Sequence, residues 1–347
     1  MALEVRPARE EDAPLWDRVV QDSPHGTIFH RWKWLRVAER HSGFRLIPLI
    51  CFKGERPVGL FPLFHRKWYL HHLVFSPPPS TVLPFLGPVM PCYQKQRQED
   101  REREMVEFLQ SVLDSVSAEM GADHIDLSLP YGFADPRPFS WAGFRIIPRY
   151  DYEVDLGGST DELWYRLNRN SRRNVQEARE RGFSVGPASR GEIAKVHDLL
   201  SERYRAQQRC FPASLPYFQD LYDAFPDDFR ILAVRGGDEI LSGMIQVRDR
   251  DRVWAWVGFP RPASEARPSP NDLLTWEAIA RAREEGAKAY ITVGAAGNPR
   301  LHWYYASKCD PVVRVRYAAQ KTTPLMDLAQ HAYLRILRPL RGRLGCR

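Results

Sequence analysis

The sequence predicts a mixed α/β, or α+β, protein with two domains, each built on a mixed, mainly antiparallel sheet flanked by helices. Its 347 residues are 44% hydrophobic, which is enough to bury two ordinary cores of roughly 150 residues each. Strand and helix patterns alternate along the chain, and neighbouring strand patterns can form antiparallel hairpins. The pair Gly157-Gly158 marks a hinge between two halves that share one order of elements. We therefore expect domains over residues 1–155 and 156–320, followed by a basic tail over residues 321–347.

The first half opens with a strand and a helix that carries acidic residues in its first turn. Apolar residues at helical spacing predict a long helix near its middle. The basic aromatic segment 65–72 could stack on nucleic-acid bases, but it fits the rim of a hairpin better. In chain order we expect a strand over 2–7, a helix over about 9–20, a helix over 31–41, strands over 45–51 and 58–64, a helix over 98–120, and strands over 125–129 and 152–155.

The second half repeats this plan after a helix start at Ser159 or Thr160, residues that favour the first position before a helix. In chain order we expect a helix over 160–181, a strand over 183–186, helices over 191–208 and 215–224, strands over 229–235, 240–248 and 252–259, a helix over 271–285, and strands over 289–293 and 312–319.

Composition excludes several classes of protein. The balance of hydrophobic and charged residues does not fit a disordered or fibrous chain, and no apolar run approaches the roughly 18 residues that span a bilayer. The opening residues are charged from Glu4 onward, so we expect a cytoplasmic protein, with the inner face of the membrane as a second location. Scattered cysteines without a CxxC spacing, and the absence of an HExxH sequence, predict no metal site and no cofactor.

Positive charge is concentrated at the end of the chain. The net charge is +7, and residues 311–347 carry eight basic side chains against Asp327 alone, so the first 310 residues are close to neutral. Leucines and arginines interleave over residues 325–347. This pattern fits a basic amphipathic segment that contacts an anionic membrane or tRNA, and it fits a packed C-terminal helix equally well.

Two segments of the second half resemble the FemABX family, whose members are aminoacyl-tRNA-dependent peptidyltransferases built from two GNAT-like domains. The first runs from Leu163 to Gly182 and is similar to the family's Lys-x-Arg-x-x-Ile-x-x-Ala-x-x-x-Gly signature, with Arg172 at the Arg position. The second, Asn271-Asp-Leu-Leu-Thr-Trp276, is similar to the family's Asn-x-Leu-Leu-x-Trp helix. The resemblance covers nearly all of residues 1–320. It implies tandem GNAT-like acyltransferase domains. It also implies aminoacyl-tRNA as the donor and, as the acceptor, an amino group of a phosphate-bearing, peptidoglycan-like cell-envelope precursor. We expect a monomer by default.

The sequence departs from the family at two places. Gly87-Pro88-Val89-Met90 is similar to a first-domain Arg-Gly-Pro-x-x-Asp-Tyr loop, but Leu86 replaces the Arg and Pro91 replaces the Asp. Residues 305–311 are similar to a Phe-Lys-x-x-Phe-Gly sequence, with Ala306 in place of the Lys. Lys308 is the local cation that could substitute, and we expect it to stabilise the oxyanion that develops during transfer.

We expect the remaining candidate residues to bind substrate. The resemblance implies that Arg172 contacts the phosphate of the acceptor, and Arg173 could hold phosphate oxygens beside it. In the first domain, Lys33 and Arg36 lie where the family presents basic residues, although an amphipathic helix with exposed charges explains them equally well. The residues expected to line the transfer channel are Trp256, Asn271 and Tyr305, with core packing the stronger explanation for Trp256.

Two other functions stay open. An ordinary GNAT N-acyltransferase would hold the pyrophosphate of acyl-CoA on backbone N–H groups of a glycine-rich turn. The corresponding turn, residues 258–270, contains four prolines and no glycine after Gly258, and proline removes the donor N–H. This favours aminoacyl-tRNA as the donor. A catalytically lapsed binding protein is the third possibility, because Pro91 and Ala306 replace the Asp and the Lys that the family has at these positions.

Overall fold

The computed structural model describes residues 3–91, 97–258, 268–293 and 299–332, and the chain divides into two compact units. The first unit contains the residues up to Arg149 and those from Val315 onward, and the second contains Tyr150–Arg314. These boundaries differ from the 155/156 and 320/321 boundaries predicted from the sequence. The reason is that the last of the described strands pairs with a strand of the first unit.

Among its described residues, the first unit is built on six strands. They are β1 (Leu3–Pro7), β2 (Arg45–Lys53), β3 (Arg56–Trp68), β4 (His71–Ser76), β5 (His124–Ser128) and β12 (Val312–Thr322, of which residues 315–322 belong to this unit). The first four pair in sequence order as antiparallel neighbours, β4 pairs parallel to β5, and β5 pairs antiparallel to β12. Residues 65–72 lie on the β3–β4 hairpin and its two-residue turn, so the prediction of a hairpin rim is confirmed.

The helices of the first unit are α1 (Ala13–Asp22), α2 (Trp32–Ser42), α3 (Gln98–Met120), α4 (Arg137–Trp141) and α11 (Pro324–Ala332). The long helix α3 has the bounds predicted from its apolar spacing. Its buried residues Met105, Phe108, Leu109 and Val112 pack in one core with residues of β2, β3 and β5. The first unit thus has its own hydrophobic core.

The described part of the second unit is also built on six strands. They are β6 (Arg145–Asp155, of which residues 150–155 belong to this unit), β7 (Phe183–Pro187), β8 (Phe229–Gly236), β9 (Glu239–Asp249), β10 (Arg252–Gly258) and β11 (Ala289–Thr292). Strands β7 to β10 pair in sequence order as antiparallel neighbours, β10 pairs parallel to β11, and β11 pairs antiparallel to β6. This is the pairing pattern of the first unit, so the shared order of elements reflects a shared topology.

The helices of the second unit are α5 (Thr160–Arg166), α6 (Arg169–Glu180), α7 (Ile193–Ala206), α8 (Leu215–Ala224), α9 (Pro270–Glu284) and α10 (Pro299–Ala306). Helix α9 is buried on most sides, and residues such as Leu274 and Ile279 join the core with side chains of α6 and β10. The predicted fold class, mainly antiparallel sheets flanked by helices, is confirmed. In the described ranges, every helix is too short or too polar to cross a membrane.

The helix predicted over 160–181 is two helices. Leu167 is extended, with φ −62° and ψ 143°, and the side chain of Asn168 accepts a 2.7 Å hydrogen bond from the Ser171 backbone N–H. A side-chain oxygen that satisfies a free N–H starts a new helix at that point. The break turns the chain sharply between α5 and α6, and the arginines of α6 follow directly.

Candidate active site

The corner between α5 and α6 is fixed by capping at both helix starts. Ser159 caps α5 by accepting from the Glu162 N–H, while the Glu162 carboxylate accepts from the Ser159 N–H. Asn168 caps α6 in the same way, and its own N–H donates to the Ser307 carbonyl at 3.3 Å. These bonds satisfy backbone groups that a helix end leaves open. The corner is therefore a rigid support for the side chains it carries.

Arg172 is anchored at this corner. Its Nη1 donates to the carbonyl oxygens of Leu167 at 2.5 Å and Tyr165 at 2.9 Å, and its guanidinium carbon lies 5.9 Å from the centre of the Tyr165 ring. In the part of the chain that the structure describes, its Nε and Nη2 make no hydrogen bond. The guanidinium is thus held on one side, and its Nε and Nη2 are left to donate to a ligand.

The surroundings of Arg172 are basic and exposed. Arg169 and Arg173 are both exposed, Tyr165 is 74% exposed, and the 3.6 Å ion pair of Arg173 is with Glu177 on its own helix. Two other arginines, one on α5 and one on α6, instead bond to neighbouring parts of the protein. Arg166 donates to the Asp155 carbonyl at 2.9 Å, and Arg179 pairs with Glu277 at 2.8 Å. We define the basic corner as Tyr165, Arg169, Arg172 and Arg173.

Lys308 lies beneath this corner in a buried polar junction. Its Nζ forms an ion pair with Asp272 Oδ1 and donates to Ser171 Oγ at 2.6 Å, while Asn174 Nδ2 donates to Asp272 Oδ2 at 2.6 Å. Lys308, Ser171 and Asp272 are only 3 to 7% exposed. Burial lowers the pKa of the Lys308 ammonium, and the Asp272 charge opposes that shift. The junction ties α6, α9 and the residues after α10 together.

This position changes the interpretation of Lys308. An oxyanion-stabilising lysine must present donors to the substrate, whereas this ammonium is 4% exposed and directed at Asp272 and Ser171. It also lies 4.3 Å from the centre of the Tyr304 ring, a favourable cation–π distance. The geometry favours a positioning role for Lys308 over contact with reacting atoms.

A second chain of hydrogen bonds extends from the junction through the start of α9. Tyr304 Oη donates to the Asn271 carbonyl at 3.0 Å, and Thr275 Oγ1 donates to the same carbonyl at 2.8 Å. Asn271 Oδ1 accepts from Ser242 Oγ on β9 at 2.5 Å. Burial raises the pKa of the Tyr304 hydroxyl, so it keeps its proton and acts as a donor near neutral pH. Asn271 therefore extends the buried polar junction, and its bonds orient the first turn of α9.

Tyr305 and Trp256 lie in apolar packing. Tyr305 is 8% exposed, its ring is 5.9 Å from that of Tyr152, and burial raises its pKa to about 12. Trp256 is 6% exposed and packs edge-on against Tyr217, Phe218 and Phe229. The register of β10 against β9 shifts at Trp256, a β-bulge of the kind often found beside active sites. The structure thus gives Trp256 a core position.

Lys33 and Arg36 lie on α2 in the first unit, and both are exposed. The Arg36 Nε pairs with Glu10 at 2.9 Å, and its Nη1 pairs with Glu39. The neighbouring Trp32 donates its Nε1–H to the same Glu10 carboxylate at 2.8 Å, and Trp34 is fully buried. This arrangement matches an amphipathic helix with exposed charges, and Arg36 would have to exchange two carboxylates for a phosphate.

The three residues that depart from the FemABX pattern, Leu86, Pro91 and Ala306, lie in different surroundings. Leu86 is fully buried with its N–H bonded to the Ser128 carbonyl at 3.0 Å, and Gly87 adopts φ +78°. Pro91 is half-buried at the end of a described range, and Ala306 is exposed at the end of α10. None of these three side chains carries a charge, so no carboxylate or lysine acts at their positions.

The polar partners of Lys308 could not be found from sequence spacing. Ser171 and Asp272 are 137 and 36 residues away from Lys308, and nothing in their local patterns indicates that they meet. The one available signal is Asp272 itself, an acidic residue in the first turn of a helix that is followed directly by the apolar Leu273 and Leu274. Across the described ranges, no three His, Cys, Asp or Glu side chains converge as a metal site would require.

Comparison with known proteins agrees with this architecture. Residues 166–299 match the family described as acetyltransferase (GNAT) domain. The crystal structure of FemX is similar with a TM-score of 0.68 and 16% identity, and the match covers 96% of this chain and 99% of that one. L-PGS from Bacillus licheniformis is similar with a TM-score of 0.54 and 14% identity over 99% of both chains. No curated protein sequence matches the chain.

A third similar structure is a C-terminal domain from Agrobacterium fabrum, described as that of a candidate lysylphosphatidylglycerol synthetase. Its TM-score is 0.54 and its identity 13%, and the match covers 92% of this chain and 95% of that domain. The resemblance to the FemABX family is thereby confirmed at the level of the fold. The chain has the tandem GNAT-like fold of FemX. Residues 166–299, in its second unit, match the acetyltransferase (GNAT) domain, and the fold and this match together support an acyltransferase.

Proposed function

We propose that the protein transfers an aminoacyl group from aminoacyl-tRNA to an amino group of a phosphate-bearing cell-envelope precursor, forming an amide bond. The FemX-like fold and the GNAT domain support this class of reaction. The observation that carries the proposal is the basic corner, where the anchored guanidinium of Arg172 lies against the exposed ring of Tyr165 and two exposed arginines stand on the same helix as Arg172. A phosphorylated acceptor fits these groups.

Arg172 is the residue best placed to hold phosphate. Its Nη1 is fixed on two carbonyls, which sets the plane of the guanidinium before any ligand arrives. Paired N–H donors of one guanidinium match two oxygens of one phosphate. A preset donor loses little side-chain entropy on binding. Arg169 and Arg173 add positive charge beside it, and the start of α6 contributes the partial positive charge of a helix N-terminus.

The buried junction positions this corner. Ser171 and Asn174 are the α6 residues that bond to Lys308 and Asp272, and they flank Arg172 in the sequence. A shift of α6 would break these bonds, so the junction fixes the helix on which Arg172 stands. We therefore assign Lys308 and Asp272 as positioning residues that act through α6.

The reaction itself needs little covalent chemistry from the protein. The amine of the acceptor attacks the carbonyl carbon of the aminoacyl ester, a tetrahedral oxyanion forms, and the ribose hydroxyl of the tRNA leaves as the amide forms. Because the ester is already activated, holding the amine against the carbonyl supplies much of the acceleration. Donors near the oxyanion add to it.

The rival donor is acyl-CoA, which the match to an acetyltransferase (GNAT) domain favours. In a GNAT enzyme the turn before the helix that corresponds to α9 holds the CoA pyrophosphate. Most of that turn here, residues 259–267, lies outside the described residues. Its prolines, which lack N–H donors, remain the argument against this donor.

Donor discrimination tests the proposal. Purified protein is titrated with tRNA charged with labelled amino acids and, separately, with acetyl-CoA, each with a nucleotide-linked muramyl peptide as amine acceptor. We expect saturable, salt-sensitive binding of charged tRNA and release of uncharged tRNA that depends on the acceptor. Release of free CoA instead would establish the acyl-CoA reaction. Binding without turnover of either donor would indicate a lapsed enzyme.

A further inference from the structure

The hairpin between β3 and β4 ends in three exposed apolar side chains. Trp68 is 39% exposed, Tyr69 81% and Leu70 86%. Tyr69 adopts φ +54°, a backbone region where glycine or asparagine is usual and a bulky side chain is strained. A two-residue turn needs neither the aromatic ring nor the leucine. We call Trp68, Tyr69 and Leu70 the apolar tip.

Basic residues surround the base of the apolar tip. Arg66 and Lys67 precede it on β3 and are exposed, and the exposed Arg45 on β2 pairs in register with His65. The Arg66 guanidinium lies 5.6 Å from the centre of the Phe44 ring, which keeps it on this surface. We call Arg45, Arg66 and Lys67 the basic collar. An apolar end with cationic residues behind it is complementary to a bilayer with anionic headgroups.

A second apolar feature lies at the same end of this sheet. The start of β4 pairs with the start of β5 at Leu73 and His124, and His124 pairs with Thr322 at the end of β12. Asp123 joins the two features, because its carboxylate accepts from the His72 N–H and its carbonyl accepts from the Thr323 N–H, both at 2.8 Å. Helix α11 starts from Thr323, and its Leu325 and Leu328 are 67% and 69% exposed.

These exposed leucines are three residues apart and so share one side of the helix. The sequence beyond the described residues continues with Arg335, Arg338, Arg341 and Arg343. The topology therefore brings two apolar projections to one end of the first unit's sheet, and each has basic residues beside it in the chain.

We propose that this end of the first unit docks on the surface of an anionic phospholipid bilayer. The apolar tip enters the headgroup level, where Trp and Tyr are favoured and a leucine is released from water. The basic collar binds the phosphate headgroups, and Leu325 with Leu328 adds a second contact. The inference does not depend on the proposed function, because none of these residues belongs to the basic corner.

The geometry favours a bilayer over nucleic acid. Successive bases stack on aromatic faces that lie parallel, whereas the rings of Trp68 and Tyr69 meet edge-on at 73° with centroids 5.2 Å apart and so cannot both join one stack. Leu70, the most exposed residue of the tip, cannot stack on a base. Insertion into the headgroup region uses all three side chains.

Vesicle co-sedimentation tests the proposal with the full chain. Binding is measured to phosphatidylcholine vesicles and to vesicles that contain about 30% phosphatidylglycerol, at low and moderate salt. We expect binding to the anionic vesicles that weakens with salt, and weak binding to the neutral ones. The double variant Tyr69→Gly/Leu70→Ser should weaken binding by about tenfold or more, because two inserted side chains are lost.

Thermal unfolding controls for damage to the fold. Glycine accepts the positive φ of residue 69, so Tyr69→Gly/Leu70→Ser should unfold at or above the wild-type temperature. Arg45→Gln/Lys67→Gln should reduce the dependence on salt, and Leu325→Ser/Leu328→Ser should give a smaller loss. Trp303→Ser, which removes a side chain 71% exposed in the second unit, should leave vesicle binding unchanged.

Wild-type affinity in Tyr69→Gly/Leu70→Ser would overturn the proposal, and so would equal losses in that variant and in Trp303→Ser. A loss of tRNA binding with unchanged vesicle binding would assign the tip to nucleic acid instead. Transfer to a water-soluble acceptor is measured in parallel. Since the tip is separate from the basic corner, failure of vesicle binding with intact transfer would reject this inference and leave the proposed function standing.

Discussion

At the scale of single residues, Arg172 has two tasks. Its Nη1 donates to the Tyr165 and Leu167 carbonyls at the end of α5, and its Nε and Nη2 are available for a ligand. The sequence resemblance pointed to the phosphate-binding task and could not indicate the capping one, because the cap depends on a helix break at Leu167 that apolar spacing does not show. A substitution of Arg172 will therefore affect both stability and substrate binding.

Arg172→Lys separates charge from geometry. Lysine keeps the positive charge but cannot donate two parallel N–H groups. We expect the KM for the phosphorylated acceptor to rise about ten- to a hundredfold with a smaller change in kcat, as for the loss of a charged hydrogen bond. Steady-state kinetics with varied acceptor measures this. Arg173→Lys is the matched control, because it makes the same exchange at an exposed neighbour whose ion pair is with its own helix; an equal rise in both variants would contradict the assignment.

His25 gives a prediction for pH. The side chain is 4% exposed, and burial lowers its pKa from 6.5 to about 4. Between these values the unfolded chain binds a proton that the folded chain does not, so the free energy of unfolding falls as the pH is lowered from about 6.5 to 4, by up to about 3 kcal/mol for this residue.

Urea unfolding at several pH values measures this slope. Burial also lowers the pKa of His65 and His124, so a smaller slope of the same sign will remain in His25→Asn. Asp12, whose pKa the Arg6 side chain lowers to about 2, loses its stabilising charge only below this range. An identical slope in wild type and His25→Asn would show that His25 is not buried as described.

At the scale of elements, the junction of α6, α9 and the residues after α10 decides where the basic corner stands. It contains a buried ammonium and a buried carboxylate, and such a pair is costly to break from one side, since the remaining charge stays buried without its partner. The junction therefore controls both stability and the position of Arg172.

Lys308→Met should destabilise the protein by about 3–5 kcal/mol, and Asp272→Leu by a similar amount, whereas the double variant should recover most of the loss. Denaturant unfolding of the four proteins forms the double-mutant cycle. Under conditions in which the Lys308→Met variant is folded, aminoacyl transfer should be slower than in the wild type, while binding of the acceptor persists. Simple addition of the two losses would mean that the residues do not form a pair, and unchanged transfer would remove the positioning role.

The same junction shows what sequence patterns can predict. Helix α9 and strands β8 to β10 are found within one residue of their predicted bounds, because apolar periodicity and turn residues are local signals. The break between α5 and α6 comes from the Asn168 cap, and the Lys308 contacts join segments up to 137 residues apart. Such contacts depend on the tertiary arrangement, which no local pattern encodes. The candidate residues Arg172 and Asn271 were accessible only through the resemblance.

At the scale of the whole molecule, the two units share one pattern of strand pairing, and the first unit is completed by β12, which lies more than 180 residues after its neighbour β5 in the chain. Residues Ala318–Thr322 of β12 pair with β5, and Ala319 is fully buried in the first unit's core. The sequence predicted a strand here but assigned it to the second domain, since proximity along the chain was the only available guide. Folding of the first unit therefore requires contacts between residues nearly 200 positions apart.

Truncation after Asp310 should consequently unfold the first unit, because β5 would lose its antiparallel partner and the core would lose Ala319. We expect rapid hydrogen exchange or proteolysis in β4 and β5 of that variant. Truncation after Ala332, which keeps β12, should leave these strands protected. Equal protection in both variants would contradict the role of β12.

The central claim is that this acyltransferase forms an amide with an amino acid delivered by tRNA. The most direct test is the mass of the acceptor after incubation with the protein, charged tRNA and acetyl-CoA together. The account predicts an acceptor heavier by one amino-acid residue, with formation of this product lost when the charged tRNA is treated with ribonuclease. An acceptor heavier by one acetyl group, insensitive to ribonuclease, would contradict it.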